Sequence, residues 1–318
     1  MRIIQVLWCA NALKFTERRL IMRTKWIFIT AIAAVVGLHG IVAQASLLYK
    51  VEHPTEPTRQ AYLFGTVHMI CTEQVKFGPR LENALTAADS LVLELNPLAD
   101  DFAAQLAKYS NYDQPYLNRY LEPAKVRKLT AHIKRVTGLD YPQYATLKPF
   151  ALSSLLMQTG LPCEQGQTSY EEVLLERATV LQHPVMALET IAQQAQLFDS
   201  IPLEEQAISL YESIHADAQM IVELTVLLDI YLSEDIEALY QVVIESDEMQ
   251  NYHQLFLDQR NQRWITQLPD LWAKSQRPFI AVGAAHLGGP QGLLKLLQQA
   301  GYKVTPLSEK AHASASDR

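Results

Sequence analysis

Two stretches far apart in the chain end the same way. Ala61-Tyr62-Leu63-Phe64-Gly65-Thr66-Val67-His68 is an apolar run closing on G-x-x-H, and Pro278-Phe279-Ile280-Ala281-Val282-Gly283-Ala284-Ala285-His286 is another. Each reads as a short buried strand that stops at a glycine and presents an imidazole at its carboxyl edge. Ser90-Leu91-Val92-Leu93-Glu94-Leu95 is a third apolar run, interrupted by a carboxylate. Imidazole and carboxylate donors converging from rigid elements, with a position left open, are what a catalytic divalent ion requires. The expected ligands are therefore His68, Glu94 and His286, a mixed nitrogen and oxygen set that suits Mn, Co, Zn or Fe(II). Gly65 and Gly283 permit a turn or a close backbone approach that a Cβ would obstruct. One G-x-x-H alone ordinarily marks a core or surface histidine. Two of them, at the ends of similar strands and with a strand-terminal Glu, make a more specific signal.

Other residues can support that chemistry. Glu189 closes the run Val185-Met186-Ala187-Leu188 and reads as a further ligand or a general base, the alternative being a cap for the helix opening at Thr190. Arg260 can steady an oxyanion or hold the carboxylates in place, unless it is a surface arginine. Leu287-Gly288-Gly289-Pro290 steps into a helix and would set free N–H groups beside His286. His53, His132, His183, His215, His253 and His312 read as structural or solvated. G-x-S-x-G, H-E-x-x-H, C-x-x-C and G-x-x-x-x-G-K-[ST] are all absent from the sequence. The common serine hydrolase, zincin, thioredoxin and P-loop signatures are therefore missing.

The elements that must position these residues follow from the patterning. Leu47–Val51 and Ala61–Val67 read as strands joined by a turn over Pro54–Thr58, and Pro79 opens a helix at its first position. A strand at Ser90–Leu95 then gives strand–helix–strand order with short links, the mark of a largely parallel sheet. Residues 100–158 read as mainly helical, with Leu121, Val126, Leu129 and Ile133 at helical spacing. Ser169-Tyr170-Glu171-Glu172 has the form of a capping box, and Pro202–Arg263 reads as almost wholly helical. After the Phe279–Val282 strand, Pro290 is expected at a helix start, Gly301 at its end and Tyr302–Val304 in a last strand. The fold class expected is α/β: a mixed, largely parallel sheet from both chain ends, flanking helices and a long helical middle section. Residues 46–308 are expected to form a single domain and 309–318 a disordered tail.

The start of the chain reads as an address. Met22-Arg23-Thr24-Lys25 is basic, Trp26–Leu38 is mostly apolar, and Ala43-Gln44-Ala45 fits a cleavage site. That is the layout of a secretory signal peptide, and its apolar run is shorter than the roughly 20 residues of a membrane span. Translation is expected to begin at Met22, with residues 1–45 an upstream extension plus signal. The protein is then periplasmic or secreted, and meets a membrane only if the signal segment is retained. Without the first 45 residues, which carry six basic groups and one acidic, the net charge falls from −7 to −12. Such an acidic chain is not a nucleic-acid binder. Cys71 and Cys163 remain after Cys9 is removed, an even pair and a disulfide candidate in an exported chain. Closing that loop contributes ~4–5 kcal/mol in the chain-entropy model. Two separate buried thiols, or a nucleophilic Cys71 beside His68, are the other readings.

Leu63–His68, Val92–Leu95, Ala187-Leu188-Glu189-Thr190, Arg260-Asn261 and Val282–Leu293, with Gly301-Tyr302-Lys303-Val304 trailing, together resemble the TraB/PrgY/GumN family. The resemblance spans roughly residues 47–307. It implies an erythromycin esterase/ChaN-like α/β fold with strand-end His and Glu residues in one cleft. Through the wider group of Tiki metalloproteases it also implies a divalent-metal hydrolase, a peptidase using Mn or Co. Matched onto this chain, the metal residues are His68, Glu94 and His286, with Glu189 and Arg260 in support. PrgY-type relatives imply the alternative, a binding protein that sequesters a peptide or haem in the same cleft without turnover. The substrate expected is a peptide or protein.

Overall fold

A computed structural model describes residues 46–157, 161–214, 217–246 and 249–308. The signal-peptide and tail expectations, on residues 1–45 and 309–318, lie outside the described residues. The strands are β1 (Leu48–Glu52), β2 (Gln60–Thr66), β3 (Ile70–Cys71), β4 (Ser90–Leu93), β5 (Gln167–Thr168), β6 (Val185–Ala187), β7 (Pro278–Gly283) and β8 (Lys303–Pro306). Six of them form one sheet in the order β6-β4-β7-β2-β1-β8. Neighbours among β6, β4, β7 and β2 pair parallel, whereas β1 pairs antiparallel with both β2 and β8. The sheet is therefore mixed and largely parallel, and both ends of the chain supply it.

The burial pattern explains why these runs sit where they do. Every residue of β4 and β7 is buried, as expected of central parallel strands covered on both faces. β7 comes late in the chain yet inserts between β4 and β2. The Asp89 carboxylate fixes its start, accepting the N–H groups of Gln276 and Arg277 at 3.0 Å each. The register of β2 and β7 sets Gly65 opposite Val282 and Thr66 opposite Gly283. The two G-x-x-H ends are thus neighbours, one residue out of step.

The sheet and the helices Pro79–Ala87, Tyr170–Val180 and Gln259–Lys274 share one core, to which Leu85, Leu174 and Trp272 contribute. Helices Pro123–Thr137, Pro149–Met157 and Leu203–Ser213 close a second cluster around Leu129, Leu152 and Leu210. The long helical middle section is present, with local differences from expectation. Leu121 is not part of the helix containing Val126, Leu129 and Ile133; it ends the short helix Leu117–Tyr120, and Pro123 opens the longer one. Pro290 is not a first helical residue either, because the last helix runs Leu293–Gln299 behind Gly292. The antiparallel pair of β3 and β5 was invisible at two residues per strand. It lies beside a Cys71–Cys163 disulfide with Cα atoms 5.2 Å apart, which sets aside the free-thiol and nucleophile readings of Cys71. Among the described residues no helix is long and apolar enough to cross a membrane.

Candidate functional site

Each of the four parallel strands delivers one polar residue past its carboxyl end. In sheet order these are Glu189 after β6, Glu94 after β4, His286 after β7 and His68 after β2. Pairing continues beyond the strands, with Glu189 N–H donating to the Glu94 carbonyl at 3.0 Å, so the two glutamates stand side by side. Gly283 lies at the centre. A Cβ built on it would meet His68 Nε2 at 3.4 Å, Glu94 Oε1 at 3.5 Å and His286 Cδ2 at 3.7 Å. The three expected ligands therefore surround a single point, and the missing side chain leaves it open. Gly65 does a different job: a Cβ there would come within 2.8 Å of Leu287 Cδ1 and 3.0 Å of the Ala284 backbone. Neither glycine takes a positive φ. Turn strain explains neither: Gly65 is needed for close approach, whereas a methyl on Gly283 would meet only ordinary contacts and fill the space between the side chains.

The His68 arm is organised by a carboxylate. His68 Nδ1 lies 2.7 Å from Glu171 Oε1, to which the Thr66 hydroxyl also donates. Nδ1 therefore carries the proton and Nε2 faces the Gly283 cradle. Burial is the largest single influence and works to lower the His68 pKa, but the Glu171 charge and hydrogen bond, together with the Glu94 charge, outweigh it and the net shift is upward. Glu171 is held below the ordinary carboxylate range, because His68 and Thr66 overcome its own burial. A carboxylate on the far nitrogen is the usual support of a metal-bound histidine.

The His286 arm is organised by a guanidinium. Arg260 is fully buried, and all five of its N–H groups have acceptors. Nε donates to both Glu189 oxygens at 3.0 Å. One terminal nitrogen donates to Glu94 Oε2 at 2.6 Å and Glu189 Oε2 at 2.7 Å. The other donates to the Phe256 carbonyl at 3.2 Å and to His286 Nε2 at 3.0 Å. Because Arg260 can only donate, His286 Nε2 accepts, and the ring proton sits on Nδ1. That proton goes to Asn261 Oδ1 at 2.6 Å, while Asn261 Nδ2 donates to the His286 and Gln291 carbonyls. Burial first, and the Arg260 charge second, push the His286 pKa well down, so this imidazole is neutral. The carbonyl of Phe256 belongs to a π-helical turn, Gln254–Asp258, just ahead of Arg260. Such turns recur at functional sites.

Two expectations change as a result. Glu189 is not built as a general base: Arg260, Arg263 and Gln194 all donate to it. Burial would raise its pKa, but the two guanidiniums outweigh that and hold it ionised. Nor does Glu189 cap the following helix, which Thr190 and Gln193 close with a reciprocal capping box. Arg260 has no N–H left for an oxyanion in this arrangement. As bonded, the two hold each other and, through Arg260, Glu94 and His286 in place. The Leu287–Pro290 step does not supply the expected free amides, since Gly289 N–H faces the Glu237 carboxylate at 3.3 Å.

Glu171, Thr66, Asn261 and Gln194 also bond to the clustered side chains, and no local signal in the sequence marks them for that place; Arg263 braces Glu189 from outside. The one sequence trace of Glu171 is its place as the first acidic residue of a capping sequence in which the Glu172 amide is the one capped by Ser169. Arg263, three residues after Arg260, repeats on the same helix face.

The donor set fits a first-row divalent ion in kind and in the support given to His68, and the three side chains gather at the Gly283 cradle, His286 through its Cδ2 edge. One contact stands against it, the guanidinium N–H on His286 Nε2. Ligand atoms of His68, Glu94 and His286 do not all lie within 4.8 Å of one another. Among the described residues the donor group meeting that spacing is Cys71, Glu73 and Cys163, whose two sulfurs are consumed by the disulfide.

The fold and site define a class: an α/β protein whose parallel strands deliver His, Glu, Glu and His to one buried cluster at their carboxyl ends. The TraB/PrgY/gumN family model matches residues 47–306, and the chain belongs to that family. No curated protein and no solved structure matches it, so the erythromycin esterase/ChaN comparison rests on the resemblance alone.

Proposed function

We propose that the protein is an exported hydrolase dependent on a divalent metal (Mn, Co or Zn), acting on a peptide or protein. The carrying observation is the cradle at Gly283, with His68 Nε2, Glu94 Oε1 and the His286 ring around one point. His68, Glu94 and His286 would hold the ion. The chemistry such an ion supplies when bound is polarisation of a carbonyl and acidification of water. Glu171 keeps the His68 proton on Nδ1, so the Nε2 lone pair is directed to the cradle. With Glu189 engaged by two arginines and Glu94 Oε2 by Arg260, Glu94 Oε1 is the carboxylate atom left facing the cradle. Gly283 N–H, 2.8 Å from that atom, fixes its position. Arg260 donates to both Glu94 and Glu189 and holds the two carboxylates side by side. His68 keeps 11% of its side chain exposed and Glu171 17%, while His68 Nε2 itself is buried. The disulfide supports export, since such bonds persist in oxidising compartments.

The test is cleavage of a peptide library by purified protein with added Mn, Co or Zn, alongside His68→Ala and His286→Ala. Cleavage lost in both variants is the expected result. One observation favours the second reading, sequestration without turnover: Arg260 and His286 are wholly buried, 0% exposed each. Peptide or haem binding that survives both substitutions, with no cleavage by the wild type, would establish that reading instead.

A further inference from the structure

The site already holds a cation of its own. Arg260 lies where Glu94, Glu189 and His286 converge, and it satisfies the lone pair that His286 would offer to a metal. Its position is over-determined. Trp264, one turn on, lies under the guanidinium at 4.7 Å and packs at a tilt against the His286 ring, centroids 4.4 Å apart. The Phe256 carbonyl of the π-helical turn holds the same nitrogen that touches His286. Two buried carboxylates without a counter-charge would be strongly destabilising. A guanidinium here therefore stabilises the metal-free fold, and it does so with the groups an incoming ion needs.

We propose that Arg260 is a competing internal cation: a divalent ion enters only as the Arg260 N–H leaves His286 Nε2, and the metal affinity of the site is set by that exchange. The inference rests on the metal reading above. Glu189 gives the guanidinium somewhere to stay once displaced, because Nε and one terminal nitrogen remain bonded to it. The exchange leaves the fold intact and moves one end of one side chain. Arg263 is the built-in control. It also bonds to Glu189, at 2.9 Å, but it is 40% exposed and no contact with Glu94 or His286 links it to the cradle.

The experiment is a titration of chelator-stripped protein with Co(II), followed by its visible spectrum, and with Mn and Zn by calorimetry. Wild type, Arg260→Gln, Arg260→Lys and Arg263→Gln are compared. Arg260→Gln is expected to bind at least tenfold more tightly than wild type, Arg260→Lys to fall between them, and Arg263→Gln to change affinity less than threefold. Metal should also raise the melting temperature of Arg260→Gln more than that of wild type. If Arg260→Gln does not fold, Arg260→Lys carries the test, since an ammonium cannot span Glu94 and His286 as the fork does. Affinity in the Arg260 variants equal to or below wild type overturns the competition while leaving the metal reading intact. Binding by the variants but not by wild type supports the competition and removes the metal reading for the native protein. No binding by any of them overturns both.

Discussion

The two G-x-x-H arms have the same sequence form, end neighbouring parallel strands and face one cradle, yet they are chemically opposite. His68 is partly exposed, backed by an anion, and has its pKa raised. His286 is wholly buried, faced by a cation on one nitrogen and an amide on the other, and has its pKa pushed well down. Even the glycines differ, one making room for a neighbouring backbone and the other leaving space among His68, Glu94 and His286. A short motif thus delivers an imidazole to a place, while its charge and tautomer are set by residues elsewhere in the chain. For His68 that residue is Glu171; for His286 it is Arg260 with Asn261.

The largest expected effect breaks the His286 side. Glu189→Ala leaves the buried guanidinium with Glu94 as its remaining carboxylate and should cost ~3–5 kcal/mol in urea unfolding, the usual penalty for breaking a buried ion pair. A smaller but comparable loss is expected on the other side. The disulfide and the β3–β5 pair clip together the segments that carry His68 and Glu171. Cys71→Ser with Cys163→Ser should therefore destabilise the fold by ~2–4 kcal/mol. Imidazole NMR signals of His68 should move in that double variant, while those of His286 stay in place.

The glycines give a sharper contrast at lower cost. Gly65→Ala should lose ~1–3 kcal/mol by overpacking against Leu287 and the Ala284 backbone. Gly283→Ala meets only ordinary contacts at 3.4 Å and beyond, and its φ of −50° suits alanine. It should hold its stability, or gain ~0.4–1 kcal/mol through the unfolded state, and yet lose metal uptake because the methyl fills the cradle. Equal melting temperatures for the two variants would remove the distinction between the arms.

The smallest effect is a tilt with pH in chelator-treated protein. His68 has a raised folded pKa, so its pairing with Glu171 contributes fully below the unfolded value of about 6.5 and is lost as pH rises through the folded one. Glu171 has a lowered pKa, so its contribution is present above the unfolded carboxylate value and is lost as pH falls through the folded one. His286 acts in the opposite sense to His68. The unfolded chain takes up its proton below about 6.5 and the folded chain does not, so stability drops as pH falls. Urea unfolding across pH 5–8 should show His68→Gln and His286→Gln changing the slope in opposite directions.

Much of this was legible in the chain. Strand-end residues were found because buried strands leave apolar runs of recognisable length, so Glu94, Glu189 and both histidines stand out where those runs stop. The Pro79 helix start and the Ser169 cap were legible because caps are local chemistry. Pro290 misled for the same reason: a proline permits a helix start without requiring one, and the tight Leu287–Gly292 turn comes first.

By itself, then, the sequence determined a family, a set of strands and a list of donors. Tertiary structure alone decided that β7 lies between β4 and β2, that Glu171 meets a histidine 103 residues earlier, and that Arg260 points inward to the carboxylates. The physical reason is range. Periodicity and capping act over a few residues, whereas a buried charge takes its partner from whatever the sheet order brings within about 3 Å, and nothing local encodes that order.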